Sequence, residues 1–297
     1  MELGSIGVWT WAFDEQPWHT AREAVAEIED LGYGTVWFGE GRGRDSTTQA
    51  ALMLSATRRI VVAPGVANIY RHEPGTLAQS ERTLNEAFPG RFLLGLGVGA
   101  ETLATSVGKT WRPPIEAMRD FLDRMDTATL TAPAAPAPPR RVLAALGPKM
   151  LALSAERTWG AHPFLLPLEH TAHARKIVGP DALLAVHQAV ALHKDPATAR
   201  GIARQMIAQW IAHVQVVPSR WNVVRDLLGF DDSDLADGGS DRLVAAMVAH
   251  GDLDTVAERV RAQLAAGADH VCVGVATEDP KPALALAELR ELASALL

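Results

Sequence analysis

The chain is 297 residues long and carries 35 acidic against 28 basic side chains, a net charge of −7 that is the wrong sign for gripping a phosphate backbone and argues against a nucleic-acid partner. Its 48% hydrophobic content can fill one large core, yet it contains no run of about 18 consecutive apolar residues to span a membrane. Cys272, the only cysteine, sits in the apolar run 270–275 as expected core filler, and with no internal disulfide and no basic leader the expected compartment is the cytoplasm. Taken in chain order, short β-rich runs alternate with longer segments of helical period, the pattern of parallel strands joined by crossover helices. Residues 3–10 read as a first strand and 18–31 as a helix with Ala21, Ala24, Val25, Ile28 and Leu31 on one face. Gly32 and Gly34 punctuate, and 35–38 is a second strand ending at Gly39-Glu40. Ser46 is placed to cap a helix over 47–57, followed by strand three at 60–67. Pro74 opens a helix to about residue 88, Pro89-Gly90 stops it, and 91–96 is strand four.

The fourth helix is predicted over 116–129, and the Thr, Ala and Pro run 131–139 that follows is a stiff surface connector. Strand five at 141–146, a helix at 148–159, strand six at 161–166, a helix at 170–178 and strand seven at 183–192 come next. Helical patterns at 198–214, 241–249 and 254–266 then fill a long connection before strand eight at 270, and a helix over 280–296 ends the chain. Eight strand–helix units predict the α/β class: a single (β/α)8 TIM-type barrel domain over 1–297, with an extended helical connection between strands seven and eight. Loops after the strands form the catalytic face of such barrels, so the long connection is expected to cap it.

Several motifs fall at that face. Gly95-Leu-Gly97-Val-Gly99 leaves the end of strand four bare of side chains, which suits close approach of a planar ligand or a tight barrel turn. Leu146-Gly147-Pro148-Lys149 joins strand five to a helix whose free N–H groups can hold a phosphate, although an ordinary turn with proline at the first helical position reads the same way. His162-Pro163 ends strand six at the same rim, where His162 either contacts a ligand or packs structurally. Trp9, Thr10 and Trp11 line a pocket or join the core, and Tyr70-Arg71-His72 forms a basic loop. His170 and His173 lack a third ligand for zinc, and Asp231, Asp232, Asp234 and Asp237 read as a solvated loop, so no metal site is expected.

Val62-Ala-Pro-Gly-Val-Ala-Asn-Ile-Tyr-Arg-His-Glu-Pro-Gly-Thr, Phe88-Pro-Gly-Arg-Phe-Leu-Leu-Gly-Leu-Gly-Val-Gly and Ala145-Leu-Gly-Pro-Lys together resemble the luciferase-like oxidoreductase family. Gly160-Ala-His-Pro-Phe, Leu228-Gly-Phe, Gly238-Gly-Ser-Asp-Arg-Leu-Val and Ala266-Gly-Ala-Asp-His-Val extend the likeness over nearly the whole chain, and the pattern is most similar to the branch that uses the deazaflavin coenzyme F-420.

The resemblance implies a cis peptide at Gly65-Val66 and a bulge that backs the cofactor ring, with Ala67 and Asn68 flanking it. It further implies cofactor contacts at Gly97 and Gly99, the cofactor phosphate at Leu146, Gly147, Pro148 and Lys149, and a contact from His162. Glu40 is the expected proton-handling residue, or else a partner of Arg42 or Arg44; Gly41 stands where some relatives have histidine, and Glu101 is displaced by one position. The implied activity is hydride transfer between F-420 and a small organic substrate. An FMN-dependent monooxygenase supplied by a partner reductase, or a flavin-binding protein without catalysis, are the alternatives, and a homodimer is the implied assembly.

Overall fold

The computed structural model describes residues 1–214 and 218–297. Its first half consists of β1 (Ile6–Thr10), α1 (Trp18–Asp30), β2 (Thr35–Phe38), α2 (Ser46–Ala56), β3 (Val61–Pro64), β4 (Ala67–Asn68), α3 (Pro74–Ala87) and β5 (Leu93–Gly97). There follow α4 (Glu101–Ser106), α5 (Pro114–Asp126), β6 (Arg140–Leu143), α6 (Pro148–Arg157), β7 (Gly160–Ala161), α7 (Leu168–Val178) and β8 (Leu183–Leu192). The chain continues through α8 (Pro196–Val214), α9 (Pro218–Leu228), α10 (Asp241–Met247), β9 (Val248–Gly251), α11 (Leu253–Ala265), β10 (His270–Val275) and α12 (Leu286–Leu296).

The strands pair in the order β3-β2-β1-β10-β8-β7-β6-β5-β4, all in parallel, and a bridge between Val62 and Phe92 joins the two ends into a barrel. Counting β3 and β4 as one interrupted strand gives eight staves, as the sequence predicts. β9 lies outside the ring as an extension against the end of β8, through Ala189–Leu192.

Three apolar layers account for the packing. Inside the barrel, Trp37, Leu93, Ala185 and Cys272 interdigitate; between staves and helices, residues such as Ile28, Met53, Leu94 and Val260 form the largest cluster. A third cluster, including Ile207, Trp210, Trp221, Val244 and Val248, holds the long connection together. Strands buried on both faces read as continuous apolar runs, which is why β8 was legible at its full length. Cys272 is fully buried, and burial pushes its thiol well above the ordinary value, as suits core filler.

Several predicted boundaries move for identifiable reasons. Asp45, not Ser46, caps α2 by accepting from the Thr48 N–H, because the Ser46 hydroxyl is engaged with Glu40. Strand six shrinks to Gly160–Ala161, since Pro163 and Pro167 remove N–H donors immediately beyond it. The predicted helix 241–249 ends at Met247, because Val248–Gly251 pairs with the exposed edge of β8. Nor is the acidic loop merely solvated: Asp234 is buried and salt-bridged to Arg242. No helix among the described residues is long and apolar enough to cross a membrane.

Candidate active site at the barrel mouth

The interrupted stave lies at the C-terminal rim. The peptide Gly65-Val66 is cis, the Gly65 N–H donates to the Phe38 carbonyl at 2.7 Å, and the Trp9 indole N–H donates to the Gly65 carbonyl at 3.3 Å. Val66 is the one residue from Val61 to Tyr70 that is not buried, so the bulge presents its side chain at the mouth. The strand-four glycines serve this bulge. A Cβ on Gly95 would collide with the Pro64 carbonyl, one on Gly97 would collide with Val66 Cγ2, and one on Gly99 would collide with the Asn68 amide. These glycines therefore make room for protein atoms of the interrupted stave. Ala67 is buried in the stave, while Asn68 is fixed by donating to the Val98 carbonyl and accepting from the Tyr70 N–H.

His162 is not at the rim. It is 1% exposed, stacked on Trp37 with ring centroids 4.4 Å apart, and its Nδ1–H donates to the Ala185 carbonyl at 2.9 Å. Its buried Nε2 has no partner among the described residues and faces the Gly65 backbone, so His162 supports the bulge. Below it, the Trp37 indole donates to His270 Nε2 at 3.0 Å, leaving the His270 proton on Nδ1 for the Gly4 carbonyl. Burial lowers both histidines to about 4, so both are neutral.

Glu40 sits at the end of β2, with both oxygens engaged. Oε1 lies 2.7 Å from His72 Nε2 and accepts from the Ser46 hydroxyl at 2.9 Å, and Oε2 accepts from the Asn68 N–H at 2.8 Å. The predicted alternatives, Arg42 and Arg44, do not pair with it; Arg44 donates to the carbonyls of Phe13 and Gln16. Burial pushes the Glu40 carboxyl up, but His72, the Asn68 N–H and Ser46 together outweigh it and hold the group below the ordinary carboxylate value. Glu40 is thus an ionised anchor for an imidazole delivered by the loop after β4. Sequence reasoning saw His72 only as one of a basic cluster, since nothing local shows that it folds back across the mouth. Glu40, Asp45 and His72 bring donor atoms within 4.8 Å of one another, but Asp45 is occupied as the α2 cap. Glu101 is exposed at the start of α4.

Beside this cluster the rim is basic. Arg42, Arg44, Arg71 and Lys109 line one open pocket, and none of the four has a carboxylate partner among the described residues. A second pocket lies between β1, β8 and β10, walled by Trp9, Trp11 and Phe164 over His187. At the end of β6, α6 starts with the motif expected to hold a phosphate. The main-chain N–H groups of Gly147 and Lys149 donate to nothing among the described residues, and a Cβ on Gly147 would meet no atom within 4 Å. Leu146 and Gly147 are half-buried, whereas Pro148 and Lys149 are exposed. The turn is pinned by His170, whose Nε2–H donates to the Leu146 carbonyl at 2.7 Å. His170 thus has a positioning role that its sequence did not show.

Residues 4–270 match the family model of the luciferase-like monooxygenases. The chain belongs to that family. Among similar proteins is one of Mycobacterium tuberculosis assigned as a coenzyme F-420-dependent oxidoreductase, 32% identical over 125 residues; the match takes in 41% of this chain and 35% of that relative's length. The 5,10-methylenetetrahydromethanopterin reductase of Archaeoglobus fulgidus is 31% identical over 100 residues, 33% of this chain and 30% of its own. Among solved structures, the F-420-dependent tetrahydromethanopterin reductase of Methanopyrus kandleri superposes with a TM-score of 0.74 at 16% identity, over 98% of both chains. A Baeyer-Villiger monooxygenase constituent of Pseudomonas putida, in complex with FMN, gives 0.73 at 15% identity over 98% of this chain and 97% of its own. These two likenesses show the fold, a parallel barrel.

Proposed function

We propose that this luciferase-like protein is an oxidoreductase that transfers a hydride between the deazaflavin coenzyme F-420 and a small organic substrate. The observation that carries the reading is the open start of α6, where two unused N–H groups and an unobstructed Gly147 fit a phosphate, with Lys149 adding charge. The cations Arg42, Arg44, Arg71 and Lys109 on the rim, without a carboxylate partner among the described residues, favour a cofactor whose tail carries more negative charge than that of FMN. The names of the relatives at about 31% identity point the same way.

Bound at the mouth, the deazaflavin would supply or accept the hydride. The protein's own contribution is positional. Val66 and Asn68 form the seat, His162 and Trp9 hold the Gly65 backbone from beneath, and the α6 turn anchors the anionic end. The Glu40–His72 pair handles the proton that accompanies the hydride: ionised Glu40 fixes the imidazole, and His72, only 12% exposed at the pocket wall, exchanges the proton.

Parallel titration of the purified chain with F-420, oxidised FMN and reduced FMN tests the proposal. Tighter binding of F-420, weakened by Lys149→Ala, is the expected result. Preferential binding of reduced FMN would replace the reading with oxygen chemistry, as in the FMN-bound structural relative.

A further inference from the structure

We infer that Asp14 is a positioning residue for the basic pocket at the rim: its carboxylate holds the loop after β2 in the shape that presents Arg42 to an anionic group. The inference rests on the reading of that pocket as the seat of an anionic ligand and goes beyond it, since Asp14 does not itself line the pocket.

The loop reads Gly39-Glu40-Gly41-Arg42-Gly43-Arg44, with glycine at every second place, and the loop after β1 closes each of these glycines to a side chain. A Cβ on Gly39 would collide with the Trp11 ring, one on Gly41 would stand 2.8 Å from Asp14 Oδ2, and one on Gly43 would stand 2.8 Å from Asp14 Cβ and Cγ. Bare glycine lets the Asp14 side chain lie against the main chain itself. From there Oδ2 accepts from the Gly43 N–H and Oδ1 from the Arg44 N–H, both at 3.3 Å. Arg44 ties the same two loops in the other direction, by donating to the carbonyls of Phe13 and Gln16.

Three of the pocket's cations are spent on main chain: Arg44 as above, Arg71 on the Gly41 carbonyl, and Lys109 on the His72 carbonyl at 3.2 Å. Arg42 makes no hydrogen bond among the described residues, and it stands between the two glycines against which Asp14 packs. The guanidinium left for a ligand is therefore the one whose backbone Asp14 holds. The Gly41 carbonyl that fixes Arg71 belongs to the peptide joining Gly41 to Arg42, so the same clamp sets both groups.

Asp14 is also an anion beside a basic pocket. Its charge opposes the binding of another anion, whereas its position supports it, and the two contributions have opposite sign. Substitution separates them. Asp14→Asn removes the charge but keeps a side-chain oxygen that can accept from the loop, and Asp14→Ala removes both.

The test is calorimetric titration of the full chain with inorganic tripolyphosphate, together with amide hydrogen exchange over residues 39–44 in the absence of any cofactor. Wild type is expected to bind, and Arg42→Ala to weaken binding about fivefold, which assigns the anion to this pocket. Asp14→Ala should weaken tripolyphosphate about fivefold and speed exchange of the loop about tenfold, while Asp14→Asn should bind at least as tightly as wild type. Gly41→Ala should reproduce Asp14→Ala, because its methyl group displaces the carboxylate. Added to Asp14→Ala it should cost less than about twofold more, since the other neighbours of that methyl, in the Trp11 ring, stand at 3.8 and 3.9 Å. Absence of binding to wild type, no effect of Arg42→Ala, or binding by Asp14→Ala as tight as by Asp14→Asn would each overturn the assignment, the last being what charge alone produces. A lowered melting temperature of Asp14→Ala with unchanged tripolyphosphate affinity would overturn it too, by making Asp14 a general support of the fold. F-420 is titrated against the same variants, so the two readings fail separately. Loss of F-420 binding with the tripolyphosphate pattern intact removes the cofactor reading and leaves the role of Asp14, and the converse removes only that role.

Discussion

Val66 fills the space that Gly97 leaves open: a methyl group on Gly97 would run into Val66 Cγ2. The bulge on one stave and the bare glycine on another are a single packing unit. Gly97→Ala is therefore expected to destabilise the barrel by roughly 1–3 kcal/mol, the usual cost of overpacking. Adding Val66→Ala should recover part of it, because residues in contact couple. Denaturant melts of the two single variants and the double variant check this, and strict additivity would show that the two side chains do not share the space.

Glu40→Gln is expected to cut turnover at least tenfold, because an amide no longer holds His72 with a full negative charge. The same variant tests a linkage. The folded Glu40 carboxyl lies below its ordinary value of 4.5, so its contribution to stability is complete above that value and is lost as pH falls through the lowered one. Melting temperatures of wild type and variant should differ at pH 7 and converge as pH falls below 4.5. A constant difference across that range would count against an ionised anchor.

Four buried histidines predict a second pH dependence. Burial lowers His162, His170 and His270 to about 4, and His187 to about 3, from an ordinary 6.5. Their folded values are depressed, so the unfolded chain takes up protons first as pH drops. Stability is complete above 6.5 and falls from there toward 4, by about 1.4 kcal/mol per pH unit for each fully engaged group. Together they amount to a loss on the order of 4 kcal/mol between pH 6 and 5. Urea denaturation at pH 7, 6 and 5 measures it, and unchanged stability from 6 to 5 would mean that the imidazoles protonate freely in the fold.

The staves and most helices were legible because their signals are local. β8 lies at residues 183–192 as read, since ten residues apolar but for His187 and Gln188 and flanked by breakers admit little else. β9 was not legible, because Val248-Ala-His-Gly continues a helical pattern until the edge of β8 offers it hydrogen bonds. The site divides in the same way. The bulge and the α6 turn showed in their motifs, whereas the closure of Glu40 on His72 spans 32 residues and the notch for His187 comes from Gly274, so neither has a local signature. For His162 the sequence leaves a ligand contact and a structural role open, because alternation along a strand gives direction, inward or outward, without depth along the barrel axis.

His170 bears on the proposed phosphate site through the Leu146 carbonyl. Its imidazole N–H holds the Leu146 carbonyl at 2.7 Å, which fixes the turn that leaves the Gly147 and Lys149 N–H groups unused. His170→Leu removes that bond while keeping an apolar side chain in a buried site. The carbonyl is then free to rotate, and the two N–H groups lose their common direction. Affinity for phosphate-bearing cofactors is expected to fall about tenfold, about 1.4 kcal/mol. Binding of a cofactor fragment lacking the phosphate should change less than twofold. Titration of FMN and riboflavin against wild type and variant separates these cases: equal weakening of both would mean that His170 supports the barrel generally, and weakening confined to FMN would mean that it orients the α6 turn.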